Sequence, residues 1–135
     1  MSNKKLGNSF ESELCEILSA YGFWCHNLAQ NAAGQPADVI AVKNGKAYLI
    51  DCKVCSTGKG FALNRMEENQ DLAMELWNEC GNGQGWFAMK LPTGDIYMLP
   101  HFDIKACKNT QSHLSPGEIF ELGKSLERWA LKCRW

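Results

Sequence analysis

The chain has no apolar run approaching the roughly 20 residues that a membrane-spanning helix needs. It also lacks an excess of either charge: 14 Lys and Arg stand against 15 Asp and Glu, a formal net charge of -1. No global basic field therefore marks it as a binder of nucleic acid or anionic membrane, although an acidic cluster that holds divalent cations reverses its local sign. Repeats and low-complexity tracts are absent. The opening MSNKKLGNSFE has no apolar core followed by small residues, so no signal peptide is expected and the protein is expected to be soluble and cytoplasmic. Seven cysteines form an odd, scattered set without a paired framework. In a reducing compartment such residues behave as small buried hydrophobes. Cys52-Lys53-Val54-Cys55 has the spacing of half a zinc site, but no second pair follows.

What is present suits one compact domain, 1–135, with 45% hydrophobic residues to build a core. Phe10, Leu14, Ile17, Leu18 and Tyr21 recur at spacings of three and four and predict an amphipathic helix, with Asn8 as its start and Gly22 as its stop. Phe23 to Leu28 is expected as a short strand and Ala29 to Gln35 as a loop. Met66 to Glu79 predicts a second helix packed through Met66, Ala73, Leu76 and Trp77. Gly85 to Leu91 and Ile96 to Leu99 are expected strands joined by a Pro92-Thr93-Gly94-Asp95 turn. A brief helical or irregular segment covers 101–108, and a polar link covers 109–114. Ser115-Pro116-Gly117-Glu118 is a capping box, which predicts a final helix from Ile119 to about Leu131 with Phe120, Leu126, Trp129 and Ala130 available for packing. The order α-β-β-β-α-β-β-α gives a mixed α/β sheet flanked by helices.

The stretch Pro36 to Lys53 carries the chemistry. Asn44-Gly45 between the runs ADVIAV and AYLI is a strong signal for a two-residue hairpin. Antiparallel pairing then sets Asp38, at the start of one strand, beside Asp51, at the end of the next. Alternation puts Asp51 and Lys53 on one face and Cys52 on the other. Glu11 and Glu13 flank the apolar stripe of the first helix on opposite sides, and geometry alone leaves either able to reach inward. Gathered carboxylates stay ionised only with a cation present. Oxygen donors favour Mg²⁺ or Mn²⁺ over zinc, and such a metal with an adjacent lysine suits phosphodiester hydrolysis. A strand-end salt bridge of Lys53 with one aspartate, the other capping a turn, is the competing structural reading.

Pro36-Ala37-Asp38, with twelve residues between its aspartate and Asp51-Cys52-Lys53, resembles the signature of the PD-(D/E)xK nucleases. Gly7-Asn8-Ser9-Phe10-Glu11 resembles the opening of Holliday-junction resolvases of the archaeal and RecU types. Phe61-Ala62-Leu63 leading to Asn69-Gln70 resembles a RecU-type segment ending in His-Gln, with asparagine here in place of the histidine. The likeness covers about residues 7–100 and leaves about 101–135 as a C-terminal helical extension without a match. It implies a restriction-endonuclease-like fold and a metal site of Glu11, Asp38, Asp51 and the backbone carbonyl of Cys52. It further implies Lys53 as the catalytic lysine, Gln70 as a further site residue, and Mg²⁺ or Mn²⁺ as cofactor.

The expected function is cleavage of four-way or other branched DNA in recombination and repair by a homodimer, bacterial or phage-encoded and not membrane-bound. Lys4, Lys5, Lys59 and Arg65 are the expected phosphate contacts. Two rivals are another PD-(D/E)xK nuclease of restriction, repair or phage-replication type, and a non-catalytic DNA-binding domain of the same fold.

Overall fold

A computed structural model describes residues 3–28 and 37–132, with the side chains of 3–8 excepted. The helices are α1 (Asn3–Ala20), α2 (Glu68–Trp77), α3 (His101–Lys108), α4 (Pro116–Leu122) and α5 (Leu126–Leu131). The strands are β1 (Trp24–Asn27), β2 (Val39–Lys43), β3 (Lys46–Val54), β4 (Phe61–Ala62), β5 (Trp86–Lys90), β6 (Ile96–Pro100), β7 (His113–Leu114) and β8 (Lys124–Ser125). Six strands form one mixed sheet in the order β1-β2-β3-β5-β6-β8, and β4 pairs with β7 apart from it. Among the described residues, only the central β3–β5 pair is parallel. Its connection contains β4, a 3-10 turn at Leu63–Arg65 and α2.

The hairpin forms as its sequence predicts. Lys43 faces Lys46, and Asn44 and Gly45 both take positive φ, 53° and 77°, as a type I′ turn requires. That register pairs Val39 with Ile50. The amide of Asp38 continues the ladder by donating to the carbonyl of Ile50 at 3.1 Å, which leaves Asp38 opposite Asp51. β3 is buried on both faces because helices cover both. Tyr48, Ile50 and Cys52 belong to the core beneath α1, whereas Leu49 belongs to the core beneath α2 and α3. Cys55 lies in that second core, so Cys52 and Cys55 sit in different layers and do not converge as a chelating pair.

Several boundaries differ from expectation. α1 begins at Asn3, so Asn8 lies inside the helix, where Lys-Lys-Leu offers no break to the chain before it. α2 buries Met74 but leaves Leu76 60% exposed, because the helix docks largely through polar groups at Gln70 and Asp71. Segment 101–108 is a regular helix, and β7 lies inside the expected polar link; a two-residue strand is too short to show a period. The expected final helix is two helices. A Cβ at Gly123 would press within 2.8 Å of the Ile119 carbonyl, and Ser125 restarts the helix by accepting from the amide of Arg128 at 3.3 Å. Phe120 is 66% exposed and touches Tyr97 edge-on instead of joining the core.

α5 closes the layer beneath α1. Trp129 is fully buried, stacked on Phe23 at 5.5 Å and edge-on to Tyr48 and Trp86. The aromatic part of this segment is therefore core, while Glu127, Arg128 and Lys132 stay exposed. The basic and aromatic ending Cys133-Arg134-Trp135, the expected loop from Ala29 to Gln35 and Pro36 of the signature lie outside the described residues. Replacing Trp129 by Ala should destabilise the protein by about 3–5 kcal/mol in urea unfolding, a large part of a small domain's stability.

Candidate active site

At one end of the sheet, β1 finishes, β2 begins and β3 passes between the two helical layers. The register brings Asp38 and Asp51 together there. Asp38 Oδ2 accepts from the amide of Cys52 at 2.7 Å, which ties the start of β2 to the neighbouring strand. Glu11 comes down from α1, hydrogen-bonds with Asp38 and also reaches Asn27 at the end of β1. Three carboxylates thus meet, and each is buried: Glu11 7%, Asp38 8% and Asp51 1% exposed. Glu13, which the wheel could not separate from Glu11, points elsewhere and pairs with Lys90 at 2.6 Å.

This crowding favours the protonated forms of Glu11 and Asp51. Burial, followed by the charge of and hydrogen bond to Asp38, pushes Glu11 up to about 8. Burial also lifts Asp51 well above the ordinary carboxylate range, and Asp38 adds to the rise while Lys53 opposes it. Asp51 Oδ2 is buried, with the Lys53 ammonium 3.1 Å from it as an ion pair. Among the described residues, no three His, Cys, Asp or Glu side chains are already splayed around a common point as ligands. Glu11 and Asp38 instead share a hydrogen bond.

Lys53 is held from three sides. Besides Asp51, its Nζ donates to the carbonyl of Arg65 at 2.9 Å and to Gln70 Oε1 at 3.2 Å. Gln70 joins three parts of the site: its Nε2 donates to Asp51 Oδ1 at 3.3 Å, and its Oε1 also accepts from the amide of Glu67 at 3.1 Å. The latter bond belongs to the capping box that starts α2. The carbonyl of Arg65 is a partner that no side-chain pattern announces. Another unannounced pair lies one residue along α2, where Asp71 Oδ1 is 2.6 Å from Nε2 of the fully buried His101 and also pairs with Lys105.

Of the four expected phosphate contacts, Lys59 is exposed in the turn after β3. Arg65 is not turned outward: its Nη1 donates to the carbonyl of Val54 at 2.9 Å and its guanidinium lies over the Phe61 ring. Positive charge beside a strand end suggested phosphate binding from sequence; the acceptor at Val54 and the ring at Phe61 draw it inward instead. The side chains of Lys4 and Lys5 lie outside the described residues.

Glu11 sets a sign for the pH dependence. Between its ordinary value of 4.5 and its folded value of about 8, the metal-free folded chain keeps a proton that the unfolded chain has released. Stability must fall as pH rises through that window, and Asp51 acts in the same direction. Urea midpoints from about pH 5 to about pH 8.5 should decline, and Glu11→Gln should flatten the decline.

Comparison with known proteins bears on the family and the fold. A family model described as archaeal Holliday junction resolvase (Hjc) matches residues 2–128. No curated protein matches the chain. The 1.6 Å structure of Archaeoglobus fulgidus Hjc, a Holliday junction resolvase from an archaeal hyperthermophile, is similar with a TM-score of 0.68 and 18% identity. The match covers 92% of this chain and 94% of that one, and at such identity it establishes the fold. A bacterial or phage source, expected from the sequence, finds no support in a family described as archaeal. With its mixed six-stranded sheet and a family match over nearly its whole length, the chain belongs to the archaeal Holliday junction resolvase family.

Proposed function

We propose that the protein is a metal-dependent endonuclease that hydrolyses phosphodiester bonds in four-way DNA junctions. The observation that carries this reading is the meeting of Glu11, Asp38 and Asp51 with Lys53 at one sheet end, in a chain of a resolvase family. Glu11, Asp38, Asp51 and the carbonyl of Cys52 would hold the metal. Their chemistry fits one: the donors are hard oxygens, the three acids are buried together, and that burial raises Glu11 and Asp51 where no stronger positive charge is at hand. Oxygen donors of this kind favour Mg²⁺ or Mn²⁺. When bound, such an ion supplies charge for a phosphate oxygen and acidity for a water.

The remaining tasks fall to the chain itself. Lys53 places its ammonium beside Asp51, where it orients the attacking water or neutralises charge developing on the phosphoryl group. Gln70 keeps Asp51 and Lys53 in register by bonding to both. Lys59, with Lys4 and Lys5, contributes phosphate contacts that fix the DNA without reading its sequence. A symmetric junction needs two matched incisions, which a two-fold homodimer supplies.

A substrate panel of four-way junction, flap, linear duplex and single strand, with and without Mg²⁺ or Mn²⁺, tests the proposal. Preferential cutting of linear duplex would replace the resolvase reading with another nuclease of this fold, and binding without cutting would leave a non-catalytic DNA-binding domain. Asp38→Ala and Lys53→Ala should each slow cleavage by at least about 10²-fold while keeping junction binding. Wild-type activity in both variants would contradict the site. Mg²⁺ or Mn²⁺ should raise the melting temperature of the wild type and do so much less for Asp38→Ala. Lys59→Ala should weaken junction binding and lower the slope of log affinity against log salt by about one.

A further inference from the structure

The side chain of Arg65 is engaged by the protein itself. Its Nη1 donates to the carbonyl of Val54, the residue that follows Lys53 on β3. Its own main-chain carbonyl, at the end of the 3-10 turn, receives a hydrogen bond from Lys53 Nζ. The two bonds run in opposite senses between the same short segments, one from the strand to the turn and one from the turn to the strand. Together they close a ring. The guanidinium also lies 5.4 Å from the centre of the Phe61 ring, on a fully buried phenylalanine of the adjoining strand β4, which gives the planar head a platform.

We propose that Arg65 is a positioning residue for Lys53. It fastens the Leu63–Arg65 turn to β3, so that the Arg65 carbonyl, with Gln70 Oε1, fixes where the ammonium sits. The proposal rests on the assignment of Lys53 as the catalytic lysine. Lysine offers three donors on a flexible stem. Here the ammonium meets a carbonyl at 2.9 Å, an amide oxygen at 3.2 Å and the Asp51 carboxylate at 3.1 Å. The two neutral oxygens both come from the segment between β3 and β5, outside the hairpin that carries Asp51 and Lys53 themselves. Gln70 is held independently, by Asp51 and by the start of α2. The carbonyl of Arg65 has the Arg65 side chain as its tie to the strand. If that tie is cut, the turn keeps its anchors at buried Leu63 and Met66 and at the Ser112 carbonyl but loses its fastening to β3, and a displacement of about 1 Å at a reacting group costs on the order of 10²-fold in rate.

The test compares Arg65→Ala and Arg65→Lys with wild type in three measurements. Single-turnover cleavage of a four-way junction at saturating enzyme should slow by about 10- to 100-fold in Arg65→Ala, with partial recovery in Arg65→Lys, whose single ammonium can still reach the Val54 carbonyl. Junction affinity in Ca²⁺, used as a divalent ion in place of the catalytic one, should be unchanged in both. In the metal-free protein, NMR of the Lys53 ammonium should show protons protected from exchange in the wild type and lost in Arg65→Ala, at an unchanged fold by circular dichroism. Weakened affinity with an unaltered saturating rate would make Arg65 a phosphate contact and overturn the proposal. Unchanged rate and unchanged ammonium protection would overturn it as well. Should Arg65→Ala fail to fold, Arg65→Lys carries the test: it retains the charge that phosphate needs and loses the planar head, so a severalfold lower rate at equal affinity supports positioning, and a wild-type rate refutes it. The ammonium measurement needs no catalysis, so an inactive wild type would defeat the nuclease reading while leaving the placement of Lys53 decided on its own.

Discussion

Among the described residues, three carboxylates share one end of a sheet with a single lysine against them, and the fold is arranged around that electrostatic cost. Asp51 is almost wholly buried, and its neighbour Asp38 faces it across the hairpin. The lysine alone does not balance the set, as the raised values of Glu11 and Asp51 show. Such a cluster persists because the surrounding elements fix each member separately. The Asn44-Gly45 turn sets the register of the aspartates, the apolar stripe of α1 seats Glu11, and the Cys52 amide holds Asp38. A divalent cation would offset this cost, since a stronger positive charge favours the ionised forms of Glu11 and Asp51.

The two helical layers divide the work. The layer with α1 and Trp129 supplies packing and one acid, whereas the layer with α2 and α3 supplies the groups that orient Lys53. α2 is docked at its N-terminal end by Gln70 against the site and by Asp71 against the buried His101. Its apolar contact is correspondingly small, with Leu72 and Leu76 facing outward. Polar anchoring of this kind gives orientation more than net stability, because desolvating the two groups offsets most of what their pairing gains.

Much of this was legible in the residues, for identifiable reasons. The hairpin and the meeting of Asp38 with Asp51 follow from strand alternation and a two-residue turn, both local rules. The choice between Glu11 and Glu13 was not local. A helical wheel gives two flanks of one stripe, and only family resemblance favoured Glu11 before the structure showed Glu13 paired with Lys90. The break after Leu122 was available in principle from Gly123 and the capping Ser125, but the apolar residues on either side suggested continuity. Arg65 was assigned by charge, and charge does not reveal that a backbone carbonyl on the neighbouring strand will claim the side chain. The role of its own carbonyl was beyond any pattern of side chains.

Gln70 is both the residue that closes the capping box of α2 and the amide that bridges Asp51 and Lys53. Starting the helix and completing the constellation are therefore one event. The hairpin by itself supplies the two aspartates and the lysine, whereas both neutral partners of the lysine come from the turn at Arg65 and the first turn of α2. The crossover between the parallel strands thus completes the surroundings of the lysine: the full set of contacts around Lys53 exists only where the hairpin, the turn at Arg65 and the first turn of α2 are all in place.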